Sequence, residues 1–498
     1  MARIAVIGAG MGAMAAAARL AVAGHRPVVF ERASAYGGAV GRIERDGFAF
    51  DTGPGLLHLP AVYRDLFVKT GKESLEDLVG LTQVEPAVRH VFADGTTTDL
   101  PNARRAGVAE ALDTAVGAGA GARWSAFMDR AREAWDRSRR PLLEEPLWPN
   151  WQVLAEREPY PAVAHKRLLR KERVATTLAE IGTLELGGDP RLVALLEQYA
   201  VAAGLDPRTA PASAAVLPYM EQTFGTWAVG GGLRALADAV YARCLERKVE
   251  FRFGAAVTRI VEKDGRAAGV ELMDGSVEDA EFVVAGVAPS VLDGLLAGRA
   301  VRGEVPAQSE AAVPSRLTVH LALRGARPEG TPHRTVVHGA DRDAELAWLF
   351  DDGPRPARPT AAVLRTGDPS QVPDADHEAV TVTVTVPPHA RVAEADVEAV
   401  LSAAERAVPG LRDRLLWHEV RTPQDIAEAT GAAGGAVPAP ALAAARGRLL
   451  HPANATELPG LFAVGGWSHP GGGLPHAGMS GALVAGLIVE GPEFRGSQ

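Results

Sequence analysis

One cysteine, Cys244, is all that 498 residues contain. That excludes an intrachain disulfide framework and any metal site built from several thiolates. Long apolar runs are missing as well. No stretch approaches the roughly 18 uninterrupted apolar residues that would read as a membrane span. An excess of positive charge is also absent. Lys and Arg number 52 against 61 Asp and Glu, a formal net charge of −9 at pH 7. Nucleic acid is therefore not an expected partner. No signal peptide is expected, because the first apolar residues are consumed by a strand and a helix. A cytoplasmic location follows as the expectation. Hydrophobic content of 47% and charged content of 23% are ordinary for a globular chain. This length suffices for a large core divided over two lobes.

Glycine, by contrast, is abundant and placed in clusters. The chain opens "ARIAVIGAGMGAMAAAARLAVAGHRPVVFER". Residues 3–7 are a β-branched run broken at once by Gly8, which predicts a buried strand ending in a tight turn. Helix formers fill residues 11–23 and Gly24 stops them. Residues 27–30 predict a second strand with Glu31 at its end. In Gly8-x-Gly10-x-x-Ala13, Gly8 permits the bend and Gly10 lets a diphosphate approach the backbone. Ala13 is small enough for helix and strand to close. Free N–H groups at the helix start face the anion. Glu31, beyond the second strand, is placed to accept ribose hydroxyls, which disfavours a 2′-phosphate. NAD and FAD both remain open from this motif alone.

A second cluster follows in "GGAVGRIERDGFAFDTGP" (residues 37–54). Gly37-Gly38 predicts a loop, Arg42–Arg45 and Phe48–Phe50 a hairpin across Asp46-Gly47, and Gly53-Pro54 a break. A nucleotide alone does not require this second cluster, whereas a flat tricyclic ring laid on backbone does. Residues 233–246 predict a helix after Gly230-Gly231-Gly232. Strands are predicted at 249–253, 257–262, 268–273 and 282–285. The C-terminal segment predicts a strand at 461–464, glycine-rich loops and a helix over 479–489.

Between these segments lies a different pattern. Residues 76–224 read as helices with Pro-rich interruptions. Leu317, Val319, Leu321 and Leu323 alternate with polar residues, as do Val380, Val382, Val384 and Val386. That alternation predicts a half-buried, mostly antiparallel sheet. The basic cluster Lys166, Arg167, Arg170, Lys171 and Arg173 flanks Leu168, Leu169 and Val174. It fits a solvated charged face or a basic amphipathic helix resting on anionic lipid. Peripheral contact with the inner face of the membrane is thus an alternative to a freely cytoplasmic protein.

Both glycine clusters, the stretch "AVGGWSHPGGGLP" and the middle region around Gly204, Pro207, Pro211, Glu221 and Gly225 occur in one order. On these the chain resembles the bacterial-type phytoene desaturase family of FAD-dependent, amine-oxidase-like flavoproteins. The resemblance implies an α/β fold of glutathione-reductase type. Residues 1–75, 225–299 and 413–498 would form a discontinuous Rossmann-like FAD domain. Residues 76–224 and 300–412 would form an α+β substrate domain. FAD is the implied cofactor. Gly8, Gly10 and Gly12 would line its diphosphate and Glu31 its ribose. Gly38, Gly53 and Pro54 would border the isoalloxazine, and Val257 would meet the adenine. Gly466 would lie near the diphosphate or ribitol, with Leu474, Pro475 and Ser480 near the flavin pyrimidine. Met11, Ala13, Arg32, Ala39 and Arg42 complete the expected cofactor set. Ala39 stands where relatives carry Arg or Lys, and Arg42 is the candidate substitute. Trp467 stands where many carry a smaller residue.

The implied chemistry moves hydride from a substrate C–H to flavin N5. A hydrocarbon offers no acidic proton, so geometry should matter more than a strong base. Candidate catalytic residues are His58, His469 and His476 in flavin-side loops, with Glu221 and Trp467; Tyr219 and Trp227 are cavity candidates. Trp467 and His469 are expected to face the substrate, with packing of Trp467 under the loop and bracing of the loop by the histidines as the alternatives. Cys244 reads as a small core hydrophobe. The leading expectation is a dehydrogenase forming C=C bonds in an isoprenoid or polyene, with O2 or a quinone as electron acceptor. Alternatives are an oxidase of C–N bonds in an amine or cyclic metabolite, a redox-neutral isomerase or saturase, and a flavin- or lipid-binding partner without turnover.

Overall fold

The computed structural model describes residues 1–166, 172–301 and 303–496. Its first layer is a five-stranded parallel sheet. The strand order is Glu250–Phe253, Arg26–Glu31, Arg3–Ile7, Phe282–Ala285 and Leu461–Ala463. Ile4, Val6, Val29, Val283 and Val284 are almost wholly buried, as strands covered on both faces must be. The helix Met11–Val22 crosses from the first strand to the second. Gly8 holds φ at +89°, and a Cβ there would stand 3.0 Å from the Gly286 carbonyl oxygen. Only glycine fits that turn. A three-stranded antiparallel ladder, Val257–Lys263, Arg266–Leu272 and Val277–Asp279, packs beside the sheet.

The second lobe is built on a seven-stranded mixed sheet. In spatial order its strands are Leu415–Arg421, Ser315–Arg324, His377–Val386, Ala361–Arg365, Arg334–Val337, Val88–Val91 and Thr97–Leu100. The alternating valines of His377–Val386 pair in register with Ser315–Arg324. Helices Arg105–Val116, Ala120–Arg139, Pro190–Ala202 and Val216–Phe224 form a separate helical mass. Trp124, Phe127, Leu195, Leu196 and Ala215 make its core.

Four expectations need correction. Residues 76–224 are not helical throughout, because Val88–Val91 and Thr97–Leu100 extend the large sheet. Their runs are too short and too polar for the alternation to show. The domain boundary at 413 falls too early, since Leu415–Arg421 hydrogen-bonds along Ser315–Arg324. Beyond it, Ala441, Ala443 and Leu450 pack on Leu142, Leu154 and Ala155 of the helical mass. The basic cluster is not one helix, because His165–Lys166 pairs antiparallel with Glu172–Arg173. Its side chains lie outside the described residues. The last helix starts at Leu474, with Pro475 in its first turn, rather than at Met479.

Candidate functional site

Two helix starts meet at one place, and glycine is what lets them. A Cβ on Gly481 would stand 2.6 Å from the Gly12 carbonyl oxygen and 2.8 Å from the Ala15 Cβ. The helices Met11–Val22 and Leu474–Glu490 therefore cross with backbones in contact. A Cβ on Gly12 would press on Ala477 and Gly465. Gly12 accordingly serves the crossing, and Ala13 faces Gly286 in the same close packing. Neither helix start has a side-chain cap or an acidic residue in its first turn. Their N–H groups and partial positive charge are left for a ligand. A third start, that of Leu233–Glu246, is already satisfied. Asp51 accepts from the Leu233 and Arg234 amides at 2.7 and 3.1 Å. Asp51 was not among the expected site residues, although it sits in the quoted "DTGP" turn.

Between the two free starts the backbone is bare. A Cβ built on Gly10 or on Gly465 would meet no atom within 4 Å. An anion can reach the main chain there without displacing anything, so the site fits a dinucleotide diphosphate. Glu31 ends its strand beside this opening. Its carboxylate accepts from the Ala9 and Ala33 amides at 2.7 and 2.8 Å. The Ala255 amide bonds the Glu31 carbonyl, which brings the segment leading to Val257 alongside. Met11 is buried in the core of the sheet's helical face. Gly38 sits 3.1 Å, measured from a built Cβ, from the Gly10 Cα. Gly53 packs on the Ala39 carbonyl, and Pro54 and Ala39 are exposed. Two cofactor candidates point elsewhere. Arg32 bonds the Glu428 carbonyl. Arg42 pairs with Glu44 at 3.1 Å and reaches the Gly231 carbonyl.

The loop Gly465–Gly473 is braced from behind. The Asn454 side-chain amide donates to the His469 carbonyl at 2.8 Å and to Ser480 Oγ at 3.0 Å. Ser480 Oγ in turn accepts from the Gly465 amide at 2.9 Å. The Ser480 hydroxyl is therefore a strut under the loop. Asn454 carries no sequence signal; only the fold brings it under the loop. Gly466 abuts Pro438. Leu474 is buried, and its carbonyl accepts from Tyr63 Oη at 3.0 Å. His469 does not face substrate. It is wholly buried, with Nε2 2.9 Å from the Glu145 carbonyl. Burial, chiefly, pushes it down to about 3 and His476 to about 4. Neither can take up a proton near neutrality. Trp467 packs on Ala288, Val313, Ala432 and Ala436, away from the helical lobe.

A polar cluster sits between the lobes. Glu221 binds Arg334 Nη1 at 2.7 Å and Tyr199 Oη at 3.2 Å. His58 Nε2 lies 3.7 Å from the Glu221 carboxylate. Burial would raise the Glu221 carboxyl, but the Arg334 charge, with the hydrogen bonds from Arg334 and Tyr199, outweighs it and holds it below its ordinary value. Burial, aided by Arg334, lowers His58 despite Glu221. The result is an ionised pair beside a neutral imidazole. Arg334 and Tyr199 were not anticipated, since one arginine in a short strand has no signature. Leu59, Met220, Phe224, Leu449 and Met479 stand half-buried against the helical core. Tyr219 is buried in that core, whereas Trp227 is half-buried with its indole N–H on the Phe224 carbonyl. Cys244 is buried with Sγ 3.3 Å from the Met14 carbonyl, as a core residue.

Residues 14–489 match the family described as flavin containing amine oxidoreductase. The chain belongs to that family. It is 31% identical over 98% of its length to a 4,4'-diapolycopene oxygenase of Methylomonas sp, covering 98% of that protein. It is 30% identical to a hydroxyneurosporene desaturase of Cereibacter sphaeroides, covering 98% of this chain and 97% of the relative. Among solved structures, an oxidoreductase from Methanosarcina mazei matches with a TM-score of 0.62 at 16% identity. It covers 97% of this chain and 99% of its own. Putrescine oxidase matches with a TM-score of 0.61 at 15% identity, over 98% and 99%. Those two likenesses concern the fold. The chain is an FAD-dependent oxidoreductase of desaturase type, and the bare backbone at Gly10 and Gly465 fits that cofactor.

Proposed function

We propose that the chain desaturates an apolar isoprenoid polyene, with Gly10, Glu31, Gly465 and the start of Leu474–Glu490 holding FAD. Bound FAD supplies the acceptor for the hydride. The observation that carries the reading is the apolar wall. Met479 lies about a turn and a half into the helix whose free start would face the flavin. Met479, Leu59, Met220, Phe224 and Leu449 each stand half-buried against that one helical core. That surface takes a hydrocarbon without leaving polar groups unpaired. The chain's work is then to orient the C–H bond and exclude water. Glu221 does not favour an amine, because Arg334 already neutralises it. Relatives named for diapolycopene and hydroxyneurosporene support the same class.

The helix starts at Gly10 and Gly473 would stabilise negative charge on the diphosphate and on the ring. O2 or a quinone would reoxidise the flavin. Collecting such a substrate calls for peripheral contact with a bilayer, since no helix of the described residues is long and apolar enough to cross one. Exposed Val153 and Val174, with half-buried Trp148 and Trp151, support the surface around these four residues as that contact. The deciding experiment supplies FAD-loaded protein with acyclic polyenes in vesicles, or with a panel of amines. Red-shifted polyene products support the proposal. Hydrogen peroxide and aldehyde from amines, with polyenes untouched, overturn it.

A further inference from the structure

Arg421 ends the strand Leu415–Arg421, in register with Thr318. It is 9% exposed. Its Nη1 donates to the Thr52 carbonyl. Thr52 is the joint of the two glycine loops: its amide and hydroxyl bond the Gly41 carbonyl and amide, each at 3.0 Å. Gly53, next in sequence, packs on Ala39. Arg421 thus holds the backbone expected to border the isoalloxazine.

No carboxylate pairs with the guanidinium among the described residues. The buried arginines Arg243, Arg334 and Arg365 each pair with a carboxylate at 2.9 Å or less. Among the described residues Arg421 has no such partner; Asp425 is the acid whose field reaches it, without forming an ion pair. On the adjacent strand His320 is wholly buried, with Nδ1 on Thr381 and Nε2 unpartnered. Burial first and the Arg421 charge second push His320 down to about 4. The Phe50 ring centre lies 5.0 Å from that imidazole. A buried cation without a counter-ion is costly, so an anion arriving there would be held strongly.

We propose that Arg421 is the positive charge that stabilises the flavin in its reduced, anionic form. A hydride, two electrons and one proton, enters the oxidised ring and leaves it with one negative charge. The substrate carbon that gave up the hydride loses a proton from its neighbour as the double bond forms. Arg421 exchanges no proton; it changes the equilibrium between the two flavin states. The proposal rests on FAD as cofactor and not on the identity of the substrate.

The test measures the two-electron midpoint potential and the sulfite affinity of FAD-loaded wild type, Arg421→Lys and Arg421→Gln, without substrate. The glutamine variant should favour the oxidised ring at least tenfold more than wild type, a potential lower by about 30 mV. Sulfite affinity, which also requires negative charge on the ring, should fall in the same variant. The lysine variant should stay near wild type in both. Arg421→Met replaces Arg421→Gln if the latter does not fold. A folded, FAD-loaded neutral variant with wild-type potential and sulfite affinity overturns the proposal. A failure to act on polyenes, with the potential shift present, counts against the proposed substrate and leaves Arg421 in its role.

Discussion

A methyl group on Gly481 would stand 2.6 Å from the carbonyl oxygen of Gly12. This contact joins the first helix of the chain to the last and sets their two uncapped starts side by side. The residues are 469 positions apart, and the cofactor site depends on both.

Gly481→Ala should therefore force the helices apart, at about 1–3 kcal/mol of stability. The cost should appear as a lower melting temperature in both apoprotein and holoprotein, with weaker FAD retention. Gly491→Ala, at the far end of the same helix where nothing stands within 4 Å, tests only its strained backbone and should leave FAD affinity unchanged.

Glu31→Ala should weaken FAD by about 1–3 kcal/mol, the value of a buried charge-assisted hydrogen bond. Equilibrium dialysis or flavin fluorescence reads the change. Equal affinity in the two proteins would remove the ribose role.

Arg334→Met should be among the most damaging single changes. It strands the Glu221 carboxylate, at about 3–5 kcal/mol. Adding Glu221→Gln to it should recover much of that loss. A double variant no more stable than the single one would show that the pair is not what matters.

Buried histidines give the protein an acid limit, and His90 is held well below its ordinary value like those that follow. His320, His451 and His476 are pushed down to about 4, and His338 and His469 to about 3, burial being the first cause in each. Between those values and the ordinary 6.5 the unfolded chain binds protons that the folded chain refuses. Stability is then complete above about pH 6.5 and falls as pH drops below it, by up to about 1.4 kcal/mol per unit of depression. Glu158, pushed up to about 7 by burial, acts in the opposite sense and is outweighed by the histidines. The melting temperature should be flat from pH 7 to 8 and fall steeply from 6 to 4. A flat profile to pH 5 would contradict this.

The nucleotide lobe was legible because each of its elements carries a local signal. β-Branched runs mark buried strands, and glycine marks the turns between them. The helix Leu233–Glu246 and the strand Phe282–Ala285 match the sequence reading to the residue. The site was less legible wherever function depends on contacts far apart in the chain. Asn454, Arg334 and Arg421 owe their places to pairings with Ser480, Glu221 and Thr318, which no periodicity encodes. His469 and Trp467 misled for a related reason. Glycines around a bulky residue do not say which side of the loop it takes; His469 is buried against the Glu145 carbonyl, and half-buried Trp467 packs on the small cluster that includes Ala432. Trp467→Ala should accordingly lower stability while leaving substrate preference unchanged, as a comparison of product ratios would show.

The most direct measurement is an anaerobic half-reaction. FAD-loaded protein is mixed, without oxygen or quinone, with an acyclic polyene dispersed in vesicles. The account predicts bleaching of the oxidised flavin band and a stoichiometric red shift of the polyene, one new double bond per flavin reduced. A flavin that stays oxidised beside the polyene but is bleached by an amine would contradict it.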